Sequence, residues 1–416
     1  MGIKRAQELQ SVVAKAVAEA KITDLHTHVY PPSFGDLLLC GVDELVTYHY
    51  LIAEVFRWTD LPYDEYWAMS KQSQADLIWE KLFLGTSPYA ESCRGVLTTL
   101  KRLGLDVAAR DLSAYRSYCA SMSREQYVDR IFEVSGVNDV IMTNDPFDDA
   151  ERKVWLDGYR PDPRFKAALR VDALLNTWGE SWPRLKEWGY AVTEDLTETT
   201  LKEVRRFLTD WAARMEALYL AVSLPPTFAF PEDSPRGILI EEGVLPVCRE
   251  TGRPFAMMIG VKKLVNPDLR LAGDSVGKGD IVAVERLCAV YPQNKFMVTM
   301  LSRENQHELC VAARKFRNLL VFGCWWFLNN PSLVEEITRM RFELLGASVV
   351  PQHSDARVLD QLVYKWDHSR KVIADVLCEK YEDLMATGWV LEEAEIRRDV
   401  ERLFGGNFWE FLERGL

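Results

Sequence analysis

Short apolar runs separated by amphipathic stretches organise most of the chain and predict its fold. Runs at 22–28, 140–143, 165–171, 218–224, 255–261, 296–301, 319–325 and 349–353 are rich in Val, Ile, Leu, Phe and Met. Strands buried on both faces of a parallel sheet read this way. Between the later runs, apolar residues recur every three to four positions, which marks helices; Thr200 with Glu203 has the capping-box pattern ahead of one of them. Strands alternating with helices, eight in number, predict an α/β fold of the TIM (β/α)8 type, with its chemistry at the strands' C-terminal ends.

The interval from 30 to 136 breaks the alternation. Segments 42–58, 70–84, 89–103, 112–122 and 123–134 all show helical spacing, and no strand pattern interrupts them. This is too long for one crossover, so a large helical insertion after strand 1 is expected, a subdomain folded over the barrel mouth within a single 1–416 domain. Residues 1–21 read as an amphipathic helix and 358–416 as extra C-terminal helices closing the barrel.

Composition narrows the function classes. A formal net charge of -12 over 416 residues opposes nucleic-acid binding, which needs clustered Lys and Arg, yet a few buried arginines still suffice for a small anion. The eight cysteines are scattered without a CxxC, so reduced, buried thiols are expected and not a zinc knuckle or disulfide framework. No apolar run reaches the length of a membrane span, residues 1–21 lack the apolar centre of a signal peptide, and Ala6 breaks the myristoylation pattern of the Met-Gly start. A cytoplasmic protein without a membrane partner is expected. The 13 Trp fit a homo-oligomer interface as well as they fit internal packing.

Polar residues gather after the apolar runs. In an extended strand i and i+2 share a side, so His26 and His28 can offer two imidazoles to one cation, with Asp355 as third ligand. Alternatively the histidines are a satisfied surface pair and Asp355 is an N-cap. Two imidazoles and one carboxylate suit zinc and tolerate other divalent ions.

These residues resemble the amidohydrolase superfamily and, within it, the uronate isomerases, often called glucuronate isomerases. The resemblance spans essentially the full chain and rests on five motifs: Thr23-Asp24-Leu25-His26-Thr27-His28, Thr47-Tyr48-His49-Tyr50, Ala168-Leu169-Arg170-Val171-Asp172, Phe322-Gly323-Cys324-Trp325-Trp326-Phe327 and His353-Ser354-Asp355-Ala356-Arg357. It implies a metal-assisted barrel with one divalent cation that interconverts an aldose acid and a ketose acid through a cis-enediol. The substrates implied are the pairs D-glucuronate/D-fructuronate and D-galacturonate/D-tagaturonate. The histidines that hydrolases of the superfamily carry after strands five and six are replaced here by Val261-Lys262-Lys263 and Ser302-Arg303-Glu304, while His307 falls inside a helical pattern. The other reading, a mononuclear hydrolase or decarboxylase, needs such a histidine.

Isomerising a sugar acid requires a carboxylate clamp, a ring-opening group, a proton carrier between C2 and C1, and stabilisation of the enediolate. Arg170 is the candidate clamp, or else an ion-pair partner of Asp172. Asp355 is the candidate for ring opening. Arg357 would stabilise the developing charge or neutralise Asp355. Tyr50 is the candidate proton carrier, on the argument that a phenol near cations can ionise near neutral pH. His49 is a further catalytic or substrate-binding candidate, but neighbours on a helix point about 100° apart, so His49 and Tyr50 share the site only if the helix ends there or lies along it. Of Trp325 and Trp326, one is expected to pack inward; Trp325 is taken as the residue against the sugar. The Asn144, Asp145, Asp148 and Asp149 cluster reads as a solvated loop.

Overall fold

The computed structural model describes residue 3 and residues 6–416. Its strands in chain order are β1 (Ile22–Thr27), β2 (Val137–Asn144), β3 (Phe165–Arg170), β4 (Leu220–Leu224), β5 (Phe255–Ile259), β6 (Val261–Lys262), β7 (Ser275–Val276), β8 (Phe296–Met300) and β9 (Leu319–Val321). Seven form one parallel sheet in the order β1-β2-β3-β4-β5-β8-β9. The sheet curls into the expected barrel with helices outside. Alternate residues explain why the strands are apolar throughout. Ile141, Ala221, Ala256, Met258 and Met297 belong to one apolar cluster, while their neighbours Val140, Val222, Met257 and Val298 belong to another. The first set fills the barrel and the second meets the helices.

Three expectations are adjusted. The eighth strand at 349–353 is reduced to a parallel bridge between Val350 and Phe322. Pro351 has no N–H to continue a ladder, and the left-handed φ of 52° at Asp355 turns the chain away. The ring closes instead through two backbone bonds, Asp355 N–H to His26 O at 3.1 Å and His28 N–H to Ala356 O at 2.7 Å. The fifth run, expected at 255–261, stops at Gly260, where φ is 124° and an added Cβ would lie 2.9 Å from the Gly277 carbonyl oxygen. From there the chain enters an antiparallel hairpin, β6 with β7. Thirdly, the helix expected after Thr200 begins earlier: it runs Glu198–Arg214, Thr197 caps the Thr200 amide, and Glu203 accepts the Ala191 amide instead of closing a box.

Between β1 and β2 the described residues form helices and turns, among them His49–Val55, Glu91–Arg102 and Arg124–Ser135, with an apolar cluster of their own around Leu51, Tyr66, Trp79 and Leu100. Val358 and Tyr364 join that cluster, tying it to the segment that follows the site. The amphipathic N-terminal pattern is a helix over Ala6–Glu19; residues 1, 2, 4 and 5 of that expectation and of the Met-Gly start lie outside the described ones. The C-terminal helices are Gln361–Ala386, Glu393–Glu401 and Asn407–Glu413. No helix among the described residues is long and apolar enough to cross a membrane.

Candidate active site

The ends of β1 and the closing loop meet. His26 Nε2 and His28 Nε2 lie 3.6 and 3.5 Å from the same Asp355 oxygen, and one ligand atom from each of the three residues falls within 4.8 Å of the others. Burial pushes His26 down to about 3 and His28 well below the usual histidine range, with Arg357 and Arg170 adding to the push on His28. Both rings are therefore neutral and keep a lone pair for a cation. The Thr143 hydroxyl fixes the tautomer of His28. It donates to Thr27 O at 3.0 Å, so at 2.9 Å it accepts from His28 Nδ1, which carries the ring proton and leaves Nε2 bare. Two neutral imidazoles and a carboxylate, with one imidazole oriented from behind, fit a divalent cation.

Asp24 anchors the closing loop. Its carboxylate accepts from the Ser354 amide at 3.0 Å and from Trp366 Nε1 at 2.8 Å, and burial pushes it up to about 6. Gln361 accepts from the Arg357 and Val358 amides at 2.9 and 3.0 Å. Gly323 is required beside this loop: its φ is 70°, and a Cβ there would sit 1.7 Å from His353 Nδ1. Together these contacts hold Asp355 in its left-handed conformation at the barrel centre.

One narrow cavity collects most of the expected residues: His26, His28, Asp355, Arg357, Arg170, His49 and Trp325 all line it. Arg170 also pairs with Asp172 at 3.0 Å, so clamp and ion pair coexist in one side chain. Burial disfavours its charge, but Asp172 and Asp145 outweigh that and hold the guanidinium protonated. His49 opens the helix His49–Val55 and faces Trp326, ring centres 5.5 Å apart. Tyr50 is not among the lining residues; it packs behind His49, its hydroxyl buried without a partner among the described residues. Burial, Tyr48 and Asp355 push its phenol well above the usual range, against the expectation of easy ionisation.

Of the two tryptophans, neither is withdrawn from the site: Trp326 lines the cavity together with Trp325. Other participants were not legible beforehand. Lys263 also lines the cavity, pairs with Asp274 at 2.8 Å and lies 5.8 Å from the Trp326 ring centre. His353 is fully buried with neither ring nitrogen bonded among the described residues, its ring 5.5 Å from that of His26. Glu151, at the helix after the acidic loop, accepts from Tyr30 at 2.5 Å and from the Asp145 amide at 3.0 Å, so that loop is tied down. At the ends of β5 and β8, Lys262 is exposed and Arg303 pairs with Glu336; His307 is exposed on the helix Gln306–Ala313.

No family profile matches the chain, and no curated protein does. Solved structures do. A uronate isomerase from Bacillus halodurans C-125 is 57% identical, covers 99% of this chain and 98% of its own, and superposes with a TM-score of 0.98. A uronate isomerase from Thermotoga maritima (14% identity, 99% and 100% coverage, TM-score 0.78) and a glucuronate isomerase from Caulobacter crescentus (14%, 98% and 94%, TM-score 0.70) share the fold.

Proposed function

The chain belongs to the uronate isomerase family, and on that footing we propose that it interconverts D-glucuronate or D-galacturonate, or both, with the corresponding ketose acids at the cavity around His26. The observation that carries the reading is the convergence of a cation-ligand triad with two guanidinium groups, Arg170 and Arg357, on one small cavity. An anionic sugar needs that pairing of charges.

Arg170, protonated and held by Asp172, grips the substrate carboxylate. Asp355 takes the proton of the anomeric hydroxyl, whose O–H pair forms the aldehyde C=O as the ring C–O bond breaks onto the ring oxygen, and Asp355 then delivers the proton to that oxygen. Tyr50 then carries the proton, which requires its hydroxyl to turn past His49 to the sugar and to act as the phenolate: the C2–H bond breaks onto the Tyr50 oxygen, its electron pair forms the C1–C2 double bond, and the aldehyde oxygen becomes negative beside Arg357. The C2 hydroxyl proton passes to the C1 oxygen, the C2–O pair closes the ketone, and the proton held on Tyr50 goes to C1, which gives the ketose. His49 and Trp325 hold the open chain against the cavity wall. His26, His28 and Asp355 would hold one divalent cation, zinc by its donor set, which when bound supplies Lewis-acid charge for orienting the sugar acid. The helical segment 30–136 acts as a subdomain covering the mouth, and the enzyme works in the cytoplasm on a free small molecule.

The test is direct: incubate the purified protein, supplied with a divalent cation, with each uronate and follow ketose formation. Turnover of at least one is expected. Inert uronates alongside lactone hydrolysis would transfer the assignment to a hydrolase.

A further inference from the structure

Lys365 sits on the helix Gln361–Ala386, only 2% exposed, between the buried apolar residues Leu362, Val363, Tyr364 and Trp366. Its ammonium nitrogen has no hydrogen-bond partner among the described residues and lies 5.6 Å from the centre of the Tyr50 ring. The titratable groups facing it come from four elements. They are Asp24 on β1, His49 and Tyr50 on the helix His49–Val55, Glu91 on the helix Glu91–Arg102, and His353 and Asp355 on the closing loop. Burial pushes Lys365 down to about 8, while Asp355, Asp24 and Glu91 resist, so it stays charged at neutral pH. A buried ammonium without a hydrogen-bonded counter-ion is a standing cost to the fold, and Met would fill the same space without it.

Tyr50 has the opposite difficulty. Burial and its neighbours hold its proton on, yet a proton carrier must be able to release it. A phenolate spreads its charge into the ring, so a cation over the ring face favours the phenolate over the phenol.

We propose that Lys365 is a positioning residue for the isomerisation: its ammonium holds the Tyr50 ring by its face and stabilises the phenolate that takes the C2 proton and returns it to C1. The proposal rests on the isomerase reading above. In the cycle the C2–H bond breaks, its pair enters the enediolate, and the proton rests on the Tyr50 oxygen until it is delivered to C1. Lys365 stays charged throughout.

Lys365→Met, Lys365→Gln and Lys365→Arg are compared with the parent, all loaded with the same divalent cation, on a uronate that the parent turns over. For Lys365→Met, kcat is expected to fall about tenfold with KM within about threefold, while the acid limb of the kcat profile moves up by about one pH unit. The direction follows because loss of the cation makes the phenolate harder to form. Lys365→Arg is expected to return the limb toward the parent's position, which a packing role would not do. If Lys365→Met does not fold, Lys365→Gln carries the same reading. A kcat within about twofold of the parent and an unmoved limb overturn the proposal, given how far one pKa unit moves a base. So does a loss of kcat in all three variants with the limb in place. A parent inert toward every uronate removes the isomerase reading itself and is told apart from these outcomes at the first assay.

Discussion

Thr143 decides which nitrogen of His28 faces the cavity, and no pattern in the sequence announced it. The hydroxyl lies inside an apolar strand run, where threonine reads as a β-branched filler; its two hydrogen bonds, to Thr27 O and His28 Nδ1, depend on the register of β2 against β1. Thr143→Val keeps the shape and removes both, so cation affinity should fall about 10- to 100-fold, measured by competition with a metallochromic chelator. Unchanged affinity would leave the tautomer argument without force. Arg170 allows a second test at this scale. Arg170→Met removes the clamp and should raise KM for a uronate about 10- to 100-fold, with a smaller change in kcat. If kcat falls while KM holds, Arg170 is acting on the transition state and not on the carboxylate. His26, His28 and Asp355 were readable because strand periodicity puts i and i+2 on one side. His353 and Lys365 were not, although Lys365 left a trace: a lone charge set among Leu362, Val363, Tyr364 and Trp366.

Elements were legible where burial is uniform and obscured where the backbone leaves its ladder. The barrel strands follow the apolar runs because both faces are covered. The eighth gave way at Pro351, and the hairpin after β5 was hidden because Val261 reads as more of the same strand until Gly260 turns it. In the acidic loop after β2, Asp148 and Asp149 are exposed as a solvated loop requires, whereas Asn144 and Asp145 are held from within the fold. Glu151 ties that loop to Tyr30, after β1, and burial pushes its carboxyl from 4.5 up to about 7. A raised folded-state pKa gives stability that is present below the unfolded value and lost as pH rises through the folded one. Glu151→Gln lacks this loss. At the acid end the two start alike, because a protonated Glu151 and a Gln each offer one carbonyl acceptor and one donor to Tyr30, Asn144 and Asp145. The Tm of the variant relative to the parent should therefore rise as pH climbs from about 4.5 to about 7 and level off above. A difference that is constant or falls over that window contradicts the burial argument.

Across the whole molecule the chain's two functional demands fall at opposite ends of the barrel. The loop that carries Asp355 closes the C-terminal end, whereas the helix Asn407–Glu413 seals the other. Phe408 and Phe411 join the inner cluster with Leu25 and Tyr219, Trp409 Nε1 donates to Thr23 Oγ1 at 3.0 Å, and Asn407 donates to Val349 O at 2.9 Å. Tyr219 immediately precedes β4 and its hydroxyl donates to Leu25 O at 2.5 Å, so the plug abuts the residues that start the strands and not those that end them. This separation makes stability and turnover separable by mutation. Phe408 is fully buried, so Phe408→Ala should cost about 3–5 kcal/mol, seen as a lower denaturant midpoint. Its KM and kcat, measured well below the transition, should match the parent's. Asp355→Asn should show the reverse: kcat down by about 100-fold or more, with the denaturant midpoint held or raised, because it removes a charge from a buried site without opening a cavity. If Phe408→Ala instead damaged turnover in the folded state, the two ends would be coupled through the inner cluster of Leu25, Ala256 and Met258, and the barrel would be transmitting strain from its base to its mouth.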